Sequence, residues 1–546
     1  MRRRTVVLVT VLVALAALVA AATLPAVSAA ELPNGTSSAP ANGTLQDGPD
    51  AGGSDARIVE LYPNPVAAGN RGEYLVVRLP ERGNWSLDDG YHDAAIPANA
   101  SGEIALAMDP SNASAHVDDV DVHGLDDYFP LAATGDRIEL RRDGRVVDVV
   151  EYGRVRDGYR WRAAWGEWRP DGYEPRSAEE AAGATVTPFV LPDSPDAPIA
   201  AVSGAEERLL LAGYTLESAR VVDALVAAAD RGVTVRVLIE GTPVGGFSER
   251  GASVGDRLDS AGVDVRVLDG NPDRFRFHHA KYAVADDRAV VLTENWKASG
   301  TGGRSNRGWG VVAADERVAD DLAALFENDA AAGDTREWTA FRRDAAVYPS
   351  GTANDTYPAR FEPPPATAAD VTLLTAPGNA ADRLVARIDE ADDRALAIVP
   401  RTGGPDERVV HALRRAADRG VDARLLLSGA WYDRDRNREL AASLADEPID
   451  VAVAEPRGRF GKVHAKGVVV DDAVVVGSLN YNEVARTENR EVLLAIESAA
   501  VADFYARAYA ADWRGGGRQL PMGLLGGFGI ALAAGLAVAR REVTFV

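Results

Sequence analysis

The sequence has 546 residues, 46% of them hydrophobic, which is enough for several domains with cores of their own. Its formal net charge of −23 argues against a partner held mainly through its own negative charge, such as a nucleic acid at low salt. The chain contains no cysteine, which excludes disulfides, thiolate zinc sites and a cysteine nucleophile.

The N-terminal end predicts contact with a membrane. Met1–Arg4 is positively charged, residues 6–22 are apolar, and the small residues Val27–Ala29 suit cleavage. Residues 1–30 are therefore predicted to be a signal peptide, with an uncleaved anchor helix as the alternative. Residues 31–55 are rich in Gly, Pro, Asn and Ser, and this composition predicts a disordered tether.

The C-terminal end predicts a transmembrane helix over residues 520–541, because residues 522–539 are apolar and Arg540 and Arg541 follow. The two arginines favour a short tail inside the cell, which places the bulk of the chain outside, at the cell membrane. Acceptor sequences for N-glycosylation agree with an outside location. They are Asn34, Asn42, Asn84, Asn99, Asn112 and Asn354.

Residues 56–155 predict a small all-β sandwich. Short β-rich runs, such as 74–78, 137–140 and 145–150, are separated by turns at the spacing typical of such a fold. Residues 156–197 are predicted to be a connector. Its tryptophans among arginines are interpreted as covering a domain junction, with stacking on bases or sugars as the alternative.

From residue 198 onward the chain repeats itself. In each copy a predicted helix ends in Asp-Arg-Gly-Val, with Gly232 or Gly420 at the position that accepts a positive φ, and a buried strand follows. Residues 198–335 and 368–515 are predicted to be two α/β units joined by a linker, 336–367. Two such units facing each other form a pseudo-twofold pair with a site between them.

All four lysines of the chain lie in two short windows of this repeat. Each window carries the pattern His-x-Lys-x4-Asp, followed by a hydroxyl residue, one further residue and Asn. The two copies are His279, Lys281, Asp286, Thr293 and Asn295, and then His464, Lys466, Asp471, Ser478 and Asn480.

This spacing has a physical reason. Residues i and i+2 of a strand point to the same side, so the His and Lys of each copy are predicted to face one pocket. Lysine is a compact point charge for a single phosphoryl oxygen, whereas arginine is a broad fork. The hydroxyls and amides of Thr293, Ser478, Asn295 and Asn480 are predicted to donate to phosphoryl oxygens and to stabilise a five-coordinate phosphorus.

The paired motifs resemble the signature of the phospholipase D superfamily. The resemblance implies that one histidine attacks phosphorus and becomes phosphohistidine while the other protonates the leaving oxygen, with no metal and no cofactor. It implies His279 as the nucleophile and His464 as the general acid/base, with the order of the two roles open. Asp286 and Asp471 are implied to orient a histidine or to hold the local structure.

One departure separates the two copies. Relatives often carry a downstream carboxylate that orients a histidine, and Asn489-Arg490-Glu491 fits this in the second copy, so Glu491 is predicted to be a further site residue. The matching Asn306-Arg307-Gly308 has glycine in its place. The first half-site is therefore predicted to be tuned differently or partly degraded.

Two weaker resemblances concern the rest of the chain. The runs at 58–65, 73–76 and 135–140 resemble the lamin-tail domain, an immunoglobulin-like fold, which implies a binding or spacing module. The acidic, lysine-poor composition is similar to that of proteins from high-salt organisms of the haloarchaeal type, whose charged surfaces remain solvated.

These observations favour an extracellular, membrane-anchored phosphodiesterase that hydrolyses or transfers a phosphodiester, with phospholipid as the substrate. The tether to a membrane and the lack of a basic stripe favour lipid over nucleic acid. A nuclease acting on extracellular DNA is the first alternative. A non-catalytic surface adhesion protein and a transferase similar to cardiolipin synthases are the others.

Overall fold

The computed structural model of the chain describes residues 56–66, 71–117, 120–171, 173, 176–270, 273–456 and 458–513. The predicted signal peptide, tether and C-terminal transmembrane helix lie outside these residues. Within the described ranges, no helix is long and apolar enough to cross a membrane.

The N-terminal part is a β-domain of two sheets with strand orders β10-β9-β1-β2-β5-β6 and β4-β3-β7-β8. Its elements are β1 (Arg57–Tyr62), β2 (Tyr74–Leu79), β3 (Trp85–Asp88), β4 (Asp93–Ala95), β5 (Gly102–Ala107), α1 (Pro110–Ala113), β6 (Asp121–Gly124), β7 (Asp136–Arg142), β8 (Arg145–Tyr152), β9 (Tyr159–Arg162) and β10 (Glu167–Pro170). Trp85 and Leu87 alternate with outward residues along β3 and join a core shared with the other sheet. The two-sheet architecture agrees with the predicted sandwich, and the lamin-tail resemblance stays a prediction.

The predicted connector is wrong in its bounds. Residues 159–170 form β9 and β10, which extend the first sheet because β9 pairs with β1. Trp161 and Trp168 lie in the core of the β-domain, while Trp165 is contacted by arginine side chains of the same two strands. The tryptophans therefore belong to the β-domain itself.

The first repeat begins with a long strand that lies inside the segment predicted to be a connector, residues 156–197. Its elements are β11 (Glu180–Leu191), α2 (Asp196–Ser203), β12 (Arg208–Gly213), α3 (Ala219–Asp230), β13 (Thr234–Glu240), β14 (Phe247–Ser248), α4 (Glu249–Ser260), β15 (Asp264–Leu268), β16 (Tyr282–Ala285), β17 (Arg288–Leu292), β18 (Asn306–Ala314), α5 (Glu316–Ala330), β19 (Thr335–Glu337), α6 (Trp338–Asp344) and β20 (Val347–Tyr348). The last three correct the predicted linker. Trp338 is buried in the core of this repeat, where Gly255 leaves room for its ring.

The second repeat follows the same order of elements. They are β21 (Thr367–Ala376), α7 (Ala380–Asp389), β22 (Arg394–Val399), α8 (Arg408–Asp418), β23 (Asp422–Leu427), α9 (Arg434–Ser443), β24 (Asp450–Val453), β25 (Lys462–Val463), β26 (Gly467–Val470), β27 (Ala473–Gly477), α10 (Glu483–Thr487), β28 (Glu491–Glu497) and α11 (Ala499–Trp513). Gly232 and Gly420 follow α3 and α8 with φ of +88° and +94°, which confirms the predicted helix ends.

The two repeats share one sheet of sixteen strands within the described residues. Its path is β19-β15-β13-β12-β16-β17-β18-β11-β21-β28-β27-β26-β22-β23-β24, and β25 pairs with β18 off this path. The strands on the two sides of the antiparallel pair β11–β21 correspond one to one: β18, β17, β16, β12, β13 and β15 on one side match β28, β27, β26, β22, β23 and β24 on the other. This correspondence confirms the pseudo-twofold arrangement. The last long strands of the two repeats, β18 and β28, therefore flank the axis.

Candidate active site

The two motif segments cross from one repeat to the other. The residues before β16 bridge to Arg490, which precedes β28, and β25 pairs with Asn306 and Arg307 of β18. The backbone N–H of His279 donates to the carbonyl of Arg490, and that of His464 donates to the carbonyl of Arg307, both at 2.9 Å. Each histidine is thus held by the last long strand of the opposite repeat.

Buried ion pairs between the two repeats fix the positions of these strands. The guanidinium of Arg490 bonds Asp329 on α5, and that of Arg307 bonds Asp512 on α11, each at 2.8 Å. In both cases the arginine and the aspartate come from different repeats and are fully or nearly fully buried. Removing one member leaves an uncompensated charge in the core, so these pairs fix how the two half-sites meet.

His279 contacts a carboxylate of the second repeat. Its Nδ1 lies 2.9 Å from both carboxylate oxygens of Glu491, which also accepts from the amide of Asn489. The ring of Tyr214 packs edge-on against the imidazole at a centroid distance of 4.9 Å. Because the carboxylate holds the proton on Nδ1, Nε2 carries the lone pair that attack on an electrophile requires.

His464 contacts a carboxylate of the first repeat. Its Nδ1 lies 3.1 Å from Oε1 of Glu294, whose other oxygen accepts from the amide of Asn306 at 2.8 Å. Lys466 lies against the same imidazole, with Nζ 3.3 Å from Nε2. The two histidines are therefore paired crosswise with carboxylates, and two equivalent asparagines support those carboxylates.

This geometry corrects the interpretation of Gly308. Sequence analysis treated the missing carboxylate as a weakness of the first half-site, and it missed Glu294. A Cβ at position 308 would lie 2.2 Å from Cγ of Glu294, so glycine leaves the space that the Glu294 side chain occupies. The only sequence signal was an acidic residue between Thr293 and Asn295 where the second copy has Leu479.

Burial disfavours the protonated form of both imidazoles. It lowers the pKa of His279 to about 4 and that of His464 to about 3; the nearby lysines lower both further, and the paired carboxylates oppose the shift. Burial alone raises the pKa of Glu294 and Glu491, but the charges of the facing histidine and lysine bring both below their usual range.

All four lysines of the chain gather at this site. Burial lowers the pKa of Lys466 to about 8 and holds that of Lys281 well below its usual range, with Glu294 and Glu491 opposing the shifts. Lys462 repels Lys466, and Lys297 repels Lys281. The site is a concentrated cationic centre in an acidic protein, as binding of a phosphodiester requires.

Lys297 also lines a cavity beside the site. The cavity has a volume of about 190 Å³ and includes Tyr214, Glu217 and Glu240 in its wall. Tyr214 connects this cavity to the imidazole of His279, so the side chain of Lys297 lies close to the reacting centre although it falls outside the motif.

The hydroxyls of Thr293 and Ser478 contact the backbone of neighbouring strands, and their predicted role as donors to phosphoryl oxygens stays a prediction. Both are fully buried, and they accept from the backbone N–H of Trp309 at 2.9 Å and of Val492 at 3.0 Å. The hydroxyl of Ser478 also donates to the backbone carbonyl of Val492 at 3.4 Å. They tie β17 and β27 to the neighbouring strands. Asn295 and Asn480 are half-buried beside them, and their predicted role as donors to phosphoryl oxygens stays a prediction.

Asp286 and Asp471 are not part of the reacting centre, which corrects their assignment as catalytic residues. Each occupies a hairpin turn at the far end of the motif strand, with φ of 54° and 46°. The carboxylate of Asp286 accepts from three successive backbone N–H groups, those of residues 206–208, at 2.8–3.0 Å. Asp471 makes the same three bonds to residues 392–394 at 2.9 Å. Both hold the local structure, which was one of the two roles that the resemblance implied.

A paired histidine–lysine centre between two α/β repeats is typical of a phospholipase D-like domain, and the comparisons agree with the geometry. The family described as cardiolipin synthase, PLD-like domain, matches residues 199–330 and 384–513. The two repeats of this chain are phospholipase D-like domains.

Two curated relatives match about half of the chain. Cardiolipin synthase B of Salmonella typhimurium is 27% identical over an alignment of 317 residues that covers 54% of this chain and 72% of that protein. Cardiolipin synthase B of Salmonella typhi is 28% identical over the same shares. Among solved structures, the phosphatidylserine synthase of Haemophilus influenzae Rd KW20 aligns with a TM-score of 0.46 at 12% identity, over 62% of this chain and 88% of its own, a likeness too loose to bear on function.

Proposed function

We propose that the paired repeats form a phosphodiesterase that acts on phospholipids through a phosphohistidine intermediate. The observation that carries the proposal is the crosswise arrangement of the site. Two neutral imidazoles from different repeats are each held at Nδ1 by a carboxylate of the other repeat, beside two buried ammonium groups. Nε2 of each is left for chemistry at phosphorus.

In the proposed first step, Nε2 of His279 attacks phosphorus, the P–N bond forms and the bond from phosphorus to the leaving oxygen breaks. His464 gives its proton to that oxygen. Burial lowers the pKa of His464, and the negative charge of a bound phosphodiester favours its protonated form. In the second step, neutral His464 takes a proton from water or an alcohol, whose oxygen attacks phosphorus and releases His279. Lys281 and Lys466 stabilise the charge on the phosphoryl oxygens.

Two observations support phospholipid as the substrate. The curated relatives carry the name cardiolipin synthase B, and the terminal sequences predict a chain attached to a membrane. The proposal includes a location outside the cell. Proteolysis of intact cells tests that location, because an exposed chain is digested without lysis and an internal one is protected.

An activity panel in high salt tests the function. Phosphatidyl lipids, single- and double-stranded DNA and an aryl phosphodiester are offered to the wild-type protein and to a His279→Asn variant as the inactive control. We expect turnover of phospholipid and, in a His464→Asn variant, an acid-labile phosphoryl adduct on His279 seen by mass spectrometry. Turnover of DNA without lipid supports the nuclease alternative, and no turnover by the wild type contradicts the proposal.

A further inference from the structure

Exposed large hydrophobic side chains are few in the described part of the two repeats, and they fall into two groups. They are Val244, Val347, Tyr348, Trp431 and Tyr432. Trp431 is 81% exposed and Val244 79% exposed. Single exposed apolar residues are ordinary, but a set that gathers at one place marks an interaction surface.

In the first repeat these side chains adjoin the site through Tyr214. The backbone N–H of Val244 donates to the hydroxyl of Tyr214 at 2.6 Å, and the ring of Tyr214 packs on His279. Tyr348 lies over Gly246, where a Cβ would come within 2.3 Å of its ring. Val244 and Tyr348 therefore form one apolar tip beside the first half-site.

In the second repeat they adjoin the site through Lys462. Its ammonium donates to the hydroxyl of Tyr432 at 2.6 Å, and Lys462 lies two residues before His464. Trp431 packs edge-on against Tyr432 at a centroid distance of 5.4 Å. Trp431 and Tyr432 therefore form a second apolar tip beside the other half-site.

The two tips are related by the pseudo-twofold axis. Val244 follows β13 and Trp431 follows β23, which occupy equivalent places in the shared sheet. Each loop leaves the carboxyl end of its strand, so both tips lie at the edge of the sheet where the histidines lie. We name this pair of tips, Val244 with Tyr348 and Trp431 with Tyr432, the apolar rim.

The charge around the second tip has a small positive excess although the chain as a whole is acidic. Exposed Arg434, Arg436 and Arg438 lie at the start of α9, directly after Trp431 and Tyr432, and Lys462 adds a fourth cation. Three carboxylates, those of Asp433, Asp435 and Glu439, alternate with the arginines. Aromatic rings next to exposed cations are typical of segments that lie in the boundary between water and anionic lipid headgroups.

We propose that the apolar rim inserts into the surface of a lipid bilayer that contains anionic headgroups and sets the site over a phospholipid. This inference rests on the proposed function and adds the surface by which the substrate is reached. Insertion on both sides of the histidines would let a headgroup enter the site while the acyl chains stay in the bilayer.

Two matched double variants of the full chain test the proposal. Val244→Ser with Trp431→Ser removes the most exposed side chain of each tip. The hydrogen bond from residue 244 to Tyr214 survives because it uses the backbone N–H. Tyr91→Ser with Val146→Ser is the control, since both residues are exposed on the β-domain. Binding to vesicles of phosphatidylcholine and phosphatidylglycerol is measured by co-sedimentation in high salt, where charge attraction is screened and apolar insertion persists.

We expect the rim variant to lose about tenfold or more in vesicle binding and the control to bind like wild type. Hydrolysis of a short-chain phosphodiester below its micelle concentration should stay within about twofold of wild type in both variants. Equal vesicle binding by both variants contradicts the proposal. An equal loss of hydrolysis by the rim variant on soluble and on vesicle substrates also contradicts it. Binding of single-stranded DNA that depends on Trp431, without vesicle binding, also overturns it. Vesicle binding is measured without turnover. The role of the apolar rim can therefore be tested even if the protein does not hydrolyse phospholipids.

Discussion

The two repeats build the same half-site from different positions. In the second repeat the carboxylate stands at Glu491, at the start of β28, and in the first it stands at Glu294, just after β17. Asn489 and Asn306, which are equivalent, nevertheless bond these two carboxylates in the same way. The comparison teaches that the chemistry requires a carboxylate at a place in space and accepts more than one position in the chain as its source.

The structural clamps show the opposite behaviour. Asp286 and Asp471 stand at the same motif position and make the same three backbone bonds. A left-handed turn that also satisfies three N–H groups leaves little freedom in residue type or position. Local geometry therefore keeps the two repeats alike at the clamp, whereas the shared pocket lets them differ at the carboxylate.

The largest expected effect separates the two histidines. His279→Asn and His464→Asn should each lower kcat/KM for phospholipid by at least roughly a thousandfold, because each removes a reacting group. An activated aryl phosphodiester has a leaving group that needs no proton. With this substrate, the kcat/KM of His464→Asn should return to a large part of the wild-type value, and the kcat/KM of His279→Asn should stay low. Recovery of the His279 variant instead would reverse the assigned roles.

The next effect concerns the lysines. Lys281→Arg and Lys466→Arg should each lose at least about a hundredfold in kcat/KM, or about 2.7 kcal/mol of transition-state stabilisation, because a guanidinium does not fit a buried site shaped for a point charge. Circular dichroism and thermal melting check that both variants fold. Turnover near that of wild type in either variant would show that the retention of lysine there is accidental.

A relocation of the carboxylate tests the comparison directly. Glu294→Leu should lower kcat by about tenfold or more, since His464 loses the group that orients it. Adding Gly308→Glu moves the carboxylate to the place that Glu491 has in the other repeat, and the double variant should recover part of the lost activity. Gly308→Glu alone should be impaired, because Glu294 already fills that space. No recovery in the double variant would sink the idea that the two positions are interchangeable.

The pH profile should move in the same comparison. Lys466 has a pKa of about 8, so its positive charge and the activity it supports are lost as pH rises through about 8. Glu294 raises that pKa, and therefore Glu294→Gln should shift the alkaline limb of kcat/KM to lower pH. Glu491 is the carboxylate that most opposes the lowering of the Lys281 pKa, so Glu491→Gln should move the Lys466 limb less. Identical profiles for wild type and Glu294→Gln would count against this coupling.

The smallest effect on activity is expected at the clamps. Asp286→Asn and Asp471→Asn should each lower the free energy of unfolding by about 1–2 kcal/mol, because charged acceptors of backbone N–H groups are weakened. Their pKa is below the usual range: burial opposes this, and the three backbone bonds outweigh it. Activity per folded molecule should stay within about twofold of wild type. A loss of activity without loss of stability would return these residues to the reacting centre.

Much of this site was predictable from spacing. In each copy the lysine contacts the histidine two residues before it, as the spacing predicts. Local patterns also predicted the repeat, the helix ends at Gly232 and Gly420, and the pseudo-twofold sheet. The connector and the linker were wrong because β9, β10, β19 and α6 are short and owe their state to burial of tryptophans in a neighbouring core.

The sequence by itself determined which groups meet at the site, because two copies of a motif with fixed spacing bring an imidazole and a lysine side chain to equivalent places directly before β16 and β26. Only the tertiary structure decided which carboxylate serves which histidine. Glu491 reaches His279 and Glu294 reaches His464 because the motif segments pair with β28 and β18 of the opposite repeat. Such contacts span 212 and 170 residues, and no local pattern encodes a partner at that distance; packing about the axis does.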